Sequence, residues 1–157
     1  MPERRADIRP VGADLYLLPV TTRVPLKFGS ETLTSVDCAR VALRVEDHAG
    51  RGATGWGETP LSVQWVWPCS LPYDDRLRAL HAFCGVLCRE WAAFDCAGHP
   101  MEVGHAFLET RLPALLEEFN RARPAAEMPW LAALVCCSAF DIALHDAYGV
   151  LHGLPVY

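Results

Sequence analysis

The stretch that decides the fold runs from residue 41 to residue 60 and reads VALRVEDHAGRGATGWGETP. Val41, Leu43 and Val45 alternate with other residues at its start, which is the period of a strand with one buried face. Residues 47–52 contain two glycines and are typical of a tight turn. Residues 53–59 then return as another strand, so the stretch predicts an antiparallel β-hairpin.

The segment before this hairpin predicts one more strand, from about Ile8 to Leu18. In the resulting three-stranded meander, the first strand ends at the edge where the second begins and the third ends. The loops from Pro19 to Thr34 and from Pro60 to Tyr73 therefore leave the same edge. Long ordered loops are often functional, and the candidate ligand contacts on these two loops are Lys27, Phe28, Gln64, Trp65 and Trp67. The alternative for each tryptophan is that it only closes the end of the core.

The segment after the hairpin predicts helices. A first helix is expected to begin at about Pro72 and to end before a break at 95–99. Pro100 opens a second helix, which Pro113 should kink or split. After a loop at 121–128, Pro129 opens a last helix from Trp130 to Leu151. The predicted fold class is therefore α+β. A three-stranded antiparallel meander, at about 8–59, is followed by a bundle of three to four helices at about 72–152.

The last predicted helix is apolar around most of its circumference, which is typical of a helix covered on nearly all sides. Its polar residues fall mainly on one stripe, formed by Ser138, Asp141, His145, Tyr148 and His152. Gly153 and Pro155 follow it, and this pattern ends a helix and begins a new segment. We therefore expect residues 1–157 to form one domain whose last residues, 153–157, begin a linker to a second domain.

Composition excludes several classes of function. The chain has 157 residues, 52% of them hydrophobic and 21% charged, so a globular domain is expected. The net charge of −5 disfavours nucleic acid or an anionic membrane as a partner, and no apolar run reaches the length of a membrane span. Seven cysteines without a Cys-x-x-Cys pair indicate buried, reduced thiols and a cytoplasmic location.

One helix face carries a weak candidate for a metal site. His81, Cys84 and Cys88 share a face of the first predicted helix and include the residue types that bind zinc. They span two turns of one helix, which suits a single ion poorly, so packing of small side chains in the core is the favoured interpretation. No phosphate-binding glycine loop, Gly-x-Ser-x-Gly or His-Glu-x-x-His sequence occurs.

Two acidic residues are further candidates. Asp141 and His145 stand one helical turn apart and are expected to form a hydrogen-bonded pair, but no nucleophile lies beside them. Glu58 follows Gly55 and Gly57, glycines that allow close approach of another backbone. We expect its carboxylate to bind neighbouring backbone amides. The residues alone therefore predict no catalytic set.

Two segments together resemble a known family. Residues 41–50 and 55–60, VALRVEDHAG and GWGETP, resemble the sheet hairpin of the N-terminal capping domain of the enolase superfamily, closest to its mandelate racemase and muconate lactonizing enzyme branch. Residues 138–149 and 152–157, SAFDIALHDAYG and HGLPVY, resemble the last helix of that domain and its exit toward a barrel. The resemblance covers roughly Ile8 to Tyr157.

The resemblance implies a function that this chain does not perform alone. In the family, the capping domain covers a (β/α) barrel that holds Mg²⁺ and the acid–base residues, and the metal stabilises the enediolate formed by proton abstraction next to a substrate carboxylate. Two capping-domain loops close over the barrel mouth. The two loops predicted above, 19–34 and 60–73, correspond by position to these two loops. The resemblance therefore implies that the five candidate ligand contacts are lid residues. No catalytic residue and no metal ligand of the family maps onto this chain, and a barrel domain is the implied partner.

The implied parent reaction is racemisation, cycloisomerisation or dehydration, with a sugar acid as one guess at the substrate. Two other hypotheses stay open. The chain is either a stand-alone binding module that associates with itself through exposed apolar surface, or a gene fragment without a selected function.

Overall fold

The computed structural model describes residues 6–28, 31–123 and 126–155, without the side chains of Phe28 and Glu31. Within these ranges, three antiparallel strands in the order β1-β2-β3 precede the helices. The elements are β1 (Ile8–Phe28), β2 (Glu31–Asp47), β3 (Gly52–Pro60), α1 (Val63–Val66), α2 (Tyr73–Ala92), α3 (Pro100–Thr110), α4 (Leu112–Arg121) and α5 (Trp130–His152). The predicted α+β class, with a meander before the helices, is confirmed.

The predicted loop from Pro19 to Thr34 is wrong, because β1 and β2 continue through it as a two-stranded ribbon. We call residues 19–28 and 31–36 the arm. Leu26 pairs with Leu33, and the register shifts between Thr21 and Leu26, where β1 holds extra residues. Threonine and valine recur along both strands of the arm and favour extended backbone. The prolines are tolerated because β1 is an edge strand.

The predicted tight turn joins β2 to β3, and Asp47 organises it. The Asp47 carboxylate accepts hydrogen bonds from the backbone N–H groups of Ala49 and Arg51, both at 2.9 Å, and from Nε of Arg51 at 2.8 Å. Gly50 supplies the left-handed conformation, with φ +75°. Burial of Asp47 acts to raise its pKa, but the hydrogen bonds from Arg51 and Ala49 outweigh it and hold the pKa below the ordinary value.

Asp47→Asn is expected to destabilise the domain at pH 7. Because the folded pKa of Asp47 is lowered, its contribution is fully present above the unfolded pKa and is lost as pH falls through the folded value, below about 4. Urea unfolding from pH 7 to pH 3 measures this dependence. The difference from wild type should shrink as the pH falls, and a difference that stays constant would contradict the assignment. Asp75→Asn is the control, because its ion pair with Arg78 is exposed.

Helix α5 crosses β3 at very short distance, as the glycines of the GWGE segment predict. A Cβ added at Gly55 would lie under 3.0 Å from the backbone of both Ala143 and Ala147. A Cβ added at Gly57 would meet the backbone of Ala139 and Ala143 equally closely. Glycines on the strand and alanines one turn apart on the helix therefore let the two backbones pack together.

The helices begin and end close to the predicted positions. Helix α2 begins after Pro72, Pro100 opens α3 within a capping box at His99, and α4 starts beside Pro113, so the predicted split is confirmed. Gly153, with φ +64°, ends α5. Contrary to the expectation that no apolar run reaches the length of a membrane span, helix α5 is long and apolar enough to cross one. Half of its most apolar stretch is buried inside the domain, which is typical of a core helix.

Candidate functional site

The two predicted lid segments do leave one edge of the sheet. The arm extends from the end of β1 and the start of β2, and the segment 61–72 follows the end of β3. The N–H of Leu61 donates to the carbonyl of Asp37 at 2.8 Å, and Cys38 is the strand partner of Pro60. The base of the arm and the start of segment 61–72 are therefore held side by side.

The first half of segment 61–72 packs against the core, whereas most of the residues from Pro68 to Pro72 are exposed. The side chains of Leu61, Val63 and Val66 are buried, Gln64 is half-buried, and Trp65 is 50% exposed. Val63 and Val66 are buried together because residues three apart share a face in the single turn of α1. Trp65 and Gln64 are therefore the lid candidates of this segment that solvent reaches.

Trp67 closes the end of the core instead. Its side chain is 2% exposed, and the guanidinium of Arg123 lies 5.2 Å from the ring centroid. Arg76 donates from Nη1 to the Trp67 carbonyl at 2.6 Å. These contacts correspond to the alternative interpretation of this tryptophan, and they fix segment 61–72 to α2 and to the segment after α4.

The arm carries the other predicted lid residues. Lys27 is exposed and pairs across the ribbon with Thr32, whereas the side chain of Phe28 lies outside the described part of the structure. The hydroxyl of Thr22 donates to the carbonyl of Thr34 at 3.1 Å, at the bulge. Three apolar side chains are also exposed along the arm, those of Val20, Val24 and Leu26.

A polar cluster at the base of the arm was not predicted. Nε2 of His81, on α2, lies 3.1 Å from Oδ2 of Asp37, on β2. Tyr73 begins α2 two turns earlier, and burial together with the charges of Asp37 and Asp74 raises the pKa of its hydroxyl. The helical spacing of Tyr73 and His81 indicates a shared face, but only the tertiary structure brings Asp37 to it.

The three candidate zinc ligands each contact a different residue. His81 pairs with Asp37, Cys84 is hydrogen-bonded to Cys136, and the thiol of Cys88 lies 3.4 Å from the carbonyl of Ala13. Within residues 6–28, 31–123 and 126–155, no three His, Cys, Asp or Glu side chains gather to hold a metal. The favoured interpretation, packing of small side chains, matches these contacts.

The cysteines on α5 do not provide nucleophiles. The hydrogen bond with Cys84 and burial raise the pKa of Cys136 well above its ordinary value. Burial raises the pKa of Cys137 to about 12. Both thiols therefore stay protonated at neutral pH, and a protonated buried thiol is inert. All seven cysteines are free.

The expected pairing of Asp141 with His145 is present, although it uses the backbone carbonyl of Asp141, whereas the expectation for Glu58 is wrong. Nδ1 of His145 lies 2.9 Å from the backbone carbonyl of Asp141 and 3.9 Å from the carboxylate. Glu58 accepts from Nε of Arg40 across the sheet at 2.6 Å and does not bind backbone amides. Helical geometry favours the first contact, and an arginine opposite a glutamate on a neighbouring strand favours the second.

Asp146 provides the carboxylate that binds a backbone amide. Its Oδ2 accepts from the N–H of Trp56 at 2.8 Å, across 90 residues of sequence. The position of Asp146 one turn after Ile142 indicates only that it lies on the flank of α5. Its contact with β3 depends on the close crossing of helix and strand.

Two surface grooves of about 400 and 460 Å³ lie away from the predicted lid residues. The first is lined by Arg40, Trp56, Gly57, Glu58 and Ile142. The second is lined by Ala6, His48, Ala49, Arg51 and His152, close to the β2–β3 turn. Neither groove is lined by a described side chain of the arm or of segment 61–72.

Comparison with solved structures identifies the fold. An enolase from Bradyrhizobium, in complex with magnesium and mandelic acid, superposes with a TM-score of 0.56 at 17% identity, over 95% of this chain and 33% of its own. This chain has the fold of an enolase-superfamily N-terminal domain. The dipeptide epimerase of Enterococcus faecalis V583, with Mg and L-Leu-L-Tyr, has a TM-score of 0.54 at 15% identity, over 95% and 33% of the two chains.

The same domain fold occurs in L-talarate/galactarate dehydratase from Salmonella typhimurium LT2, with a TM-score of 0.53 at 16% identity, over 95% of this chain and 32% of its own. This chain therefore spans about a third of the length of the solved structures it matches. No protein-family model and no curated protein sequence matches it.

Proposed function

We propose that this chain is the capping domain of an enolase-superfamily enzyme that takes a proton from the carbon next to a substrate carboxylate. The observation that carries the proposal is the single sheet edge from which the arm and segment 61–72 both extend, in a domain with the superfamily fold. Such an edge suits a cover over the mouth of a (β/α) barrel. The mandelic acid and dipeptide complexes and the sugar-acid dehydratase support a carboxylate substrate.

The lid residues divide by exposure. Trp65 offers an exposed ring that excludes water, Gln64 a half-buried amide that accepts and donates hydrogen bonds, and Lys27 an exposed cation for an anionic group. Trp67 acts indirectly, because its buried ring anchors segment 61–72. Phe28 stays a candidate from its place at the end of β1.

Under the proposal, the metal centre lies outside this chain. The relatives from Bradyrhizobium and Enterococcus were solved with magnesium, but in the described ranges no carboxylate cluster fits such an ion. Under the proposal, the barrel would provide the metal ligands and the acid–base groups. The residues of this chain would shape access to the reacting carbon. The isolated chain is accordingly expected to lack turnover.

Hydrogen–deuterium exchange tests the proposal directly. The isolated chain and three chimaeras are incubated with Mg²⁺ in deuterated water, where each chimaera carries residues 6–155 in place of the matching third of one relative. Proton NMR then follows the carbon next to the carboxylate of mandelate, L-Leu-L-Tyr and galactarate. We expect no exchange with the chain alone and exchange with at least one chimaera, with an altered preference among the three acids.

Two controls make the outcome decisive. Each unmodified relative must show exchange or loss of this proton with its matching acid, since a dehydratase removes the proton and then expels water, and each relative without its N-terminal third measures the background. Exchange by the isolated chain would refute the assignment, as would three folded chimaeras no better than the background.

The free state of all seven cysteines also supports a reducing, cytoplasmic location, which remains part of the proposal.

A further inference from the structure

Two contacts attach the two predicted lid segments to one helix, α2. Nη1 of Arg76 donates to the carbonyl of Trp67 in segment 61–72 at 2.6 Å. Five residues further along α2, Nε2 of His81 lies 3.1 Å from Oδ2 of Asp37, the residue of β2 that directly follows the arm. Because buried side chains hold α2 in the core, the helix provides a rigid support for both segments.

A third contact joins the two lid segments to each other. The N–H of Leu61, the first residue of segment 61–72, donates to the carbonyl of Asp37 at 2.8 Å. Asp37 also stands opposite Pro19, where the first strand of the arm begins. The arm, segment 61–72 and α2 are therefore linked pairwise in a closed triangle. Asp37 is the corner of this triangle at which the arm meets the other two parts.

The contact between Asp37 and His81 is electrostatic and sheltered from water. The side chains are 28% and 26% exposed, and Nε2 of His81 has almost no exposed surface. Its distance from Oδ2 is that of an ion pair, although the two groups are not aligned as in a hydrogen bond. Burial and then the negative charge of Asp37 raise the pKa of the Tyr73 hydroxyl at the start of α2. The carboxylate of Asp37 therefore acts on α2 at two positions.

We propose that Asp37 and His81 are positioning residues that make the arm and segment 61–72 one unit on α2. Neither residue touches a substrate. They fix the places from which Lys27 on the arm and Trp65 on segment 61–72 reach it, so less freedom is lost when a substrate binds. The consequence for substrate rests on the proposed function as a capping domain, whereas the coupling of the two segments does not.

Matched substitutions at residue 81 test the coupling by amide hydrogen exchange of the full chain, followed by NMR. His81→Leu keeps bulk and removes the ring N–H, whereas His81→Gln offers a side-chain amide N–H at a similar reach. We expect His81→Leu to speed exchange of the Leu61 N–H and of the arm amides about fivefold, with the hairpin amides 41–57 unchanged. His81→Gln should stay close to wild type. His105→Leu, at an exposed position of α3, is the control and should change none of these amides.

Asp37→Asn is an independent check, because it keeps the shape of the side chain and removes its charge. It should speed the same amides, and the double variant should exchange no faster than His81→Leu, since both substitutions remove one contact. Unchanged exchange in His81→Leu would overturn the proposal. So would an equal increase at the hairpin amides, which indicates global destabilisation, or an equal increase in His81→Gln. If His81→Leu fails to fold, Asp37→Asn decides.

The consequence for substrate is measured in any chimaera that exchanges the substrate proton. There, His81→Leu should raise the KM about fivefold with a smaller change in kcat, because a loosened lid must be ordered when the substrate binds. An unchanged KM in an active chimaera would overturn the positioning role. If no chimaera is active, the proposed function fails, and amide exchange of the full chain still decides whether the two segments are coupled.

Discussion

Gly55→Ala is expected to lower the free energy of unfolding by about 3 kcal/mol or more. The added Cβ would lie under 3.0 Å from backbone atoms of Ala143 and Ala147, and a backbone cannot turn aside as a flexible side chain can. Strand β3 and helix α5 would have to separate, which opens the core along their whole contact. Urea-induced unfolding followed by tryptophan fluorescence measures the change.

Gly85→Ala provides the matched control for this prediction. Gly85 lies within α2, and the nearest atom that a Cβ would meet is the end of the Arg89 side chain at 3.9 Å. Alanine is favoured over glycine in a helix by about 1 kcal/mol, so Gly85→Ala should stabilise the domain. Equal losses at Gly55 and Gly85 would show that the close crossing is not what requires glycine.

Trp91→Ala is expected to cost about 3–5 kcal/mol. The Trp91 ring is fully buried and stacks on Phe107, with centroids 4.1 Å apart and planes 13° apart. It also lies parallel to Phe140 of α5, with centroids 6.5 Å apart. Its removal would leave a large apolar cavity where α2, α3 and α5 meet.

Trp65→Ala is the control for Trp91, because the same residue type stands half-exposed on the lid segment. We expect a change within about 0.5 kcal/mol, since surface substitutions rarely exceed this. Thermal unfolding by circular dichroism compares the two variants. A large loss at Trp65 would mean that the lid segment is part of the core, and it would weaken the proposal that Trp65 faces a substrate.

The arm shows where reasoning from the sequence failed. Residues 19–34 were predicted to be a loop, but an edge ribbon tolerates the prolines at 19 and 25, and the threonines and valines around them favour extended backbone. The position of the arm at the predicted edge was nevertheless correct, because strand order alone determines it. Side-chain partners were harder to predict. Glu58 was expected to bind a backbone amide but pairs with Arg40, and Asp146 binds the backbone amide of Trp56 instead.

The sequence by itself determined the order of the three strands and of the long helices, the approximate ends of those helices and the shared edge of the lid segments. Those features depend on local periodicity, on prolines and glycines, and on the geometry of a meander. Only the tertiary structure decided which side chains meet: Asp37 with His81, Asp146 with the N–H of Trp56, and the groove at Gly57. These contacts join residues up to 90 positions apart, and their distances follow from how closely helices pack on the sheet. Such packing depends on the summed shapes of many side chains, which no single segment of the sequence records.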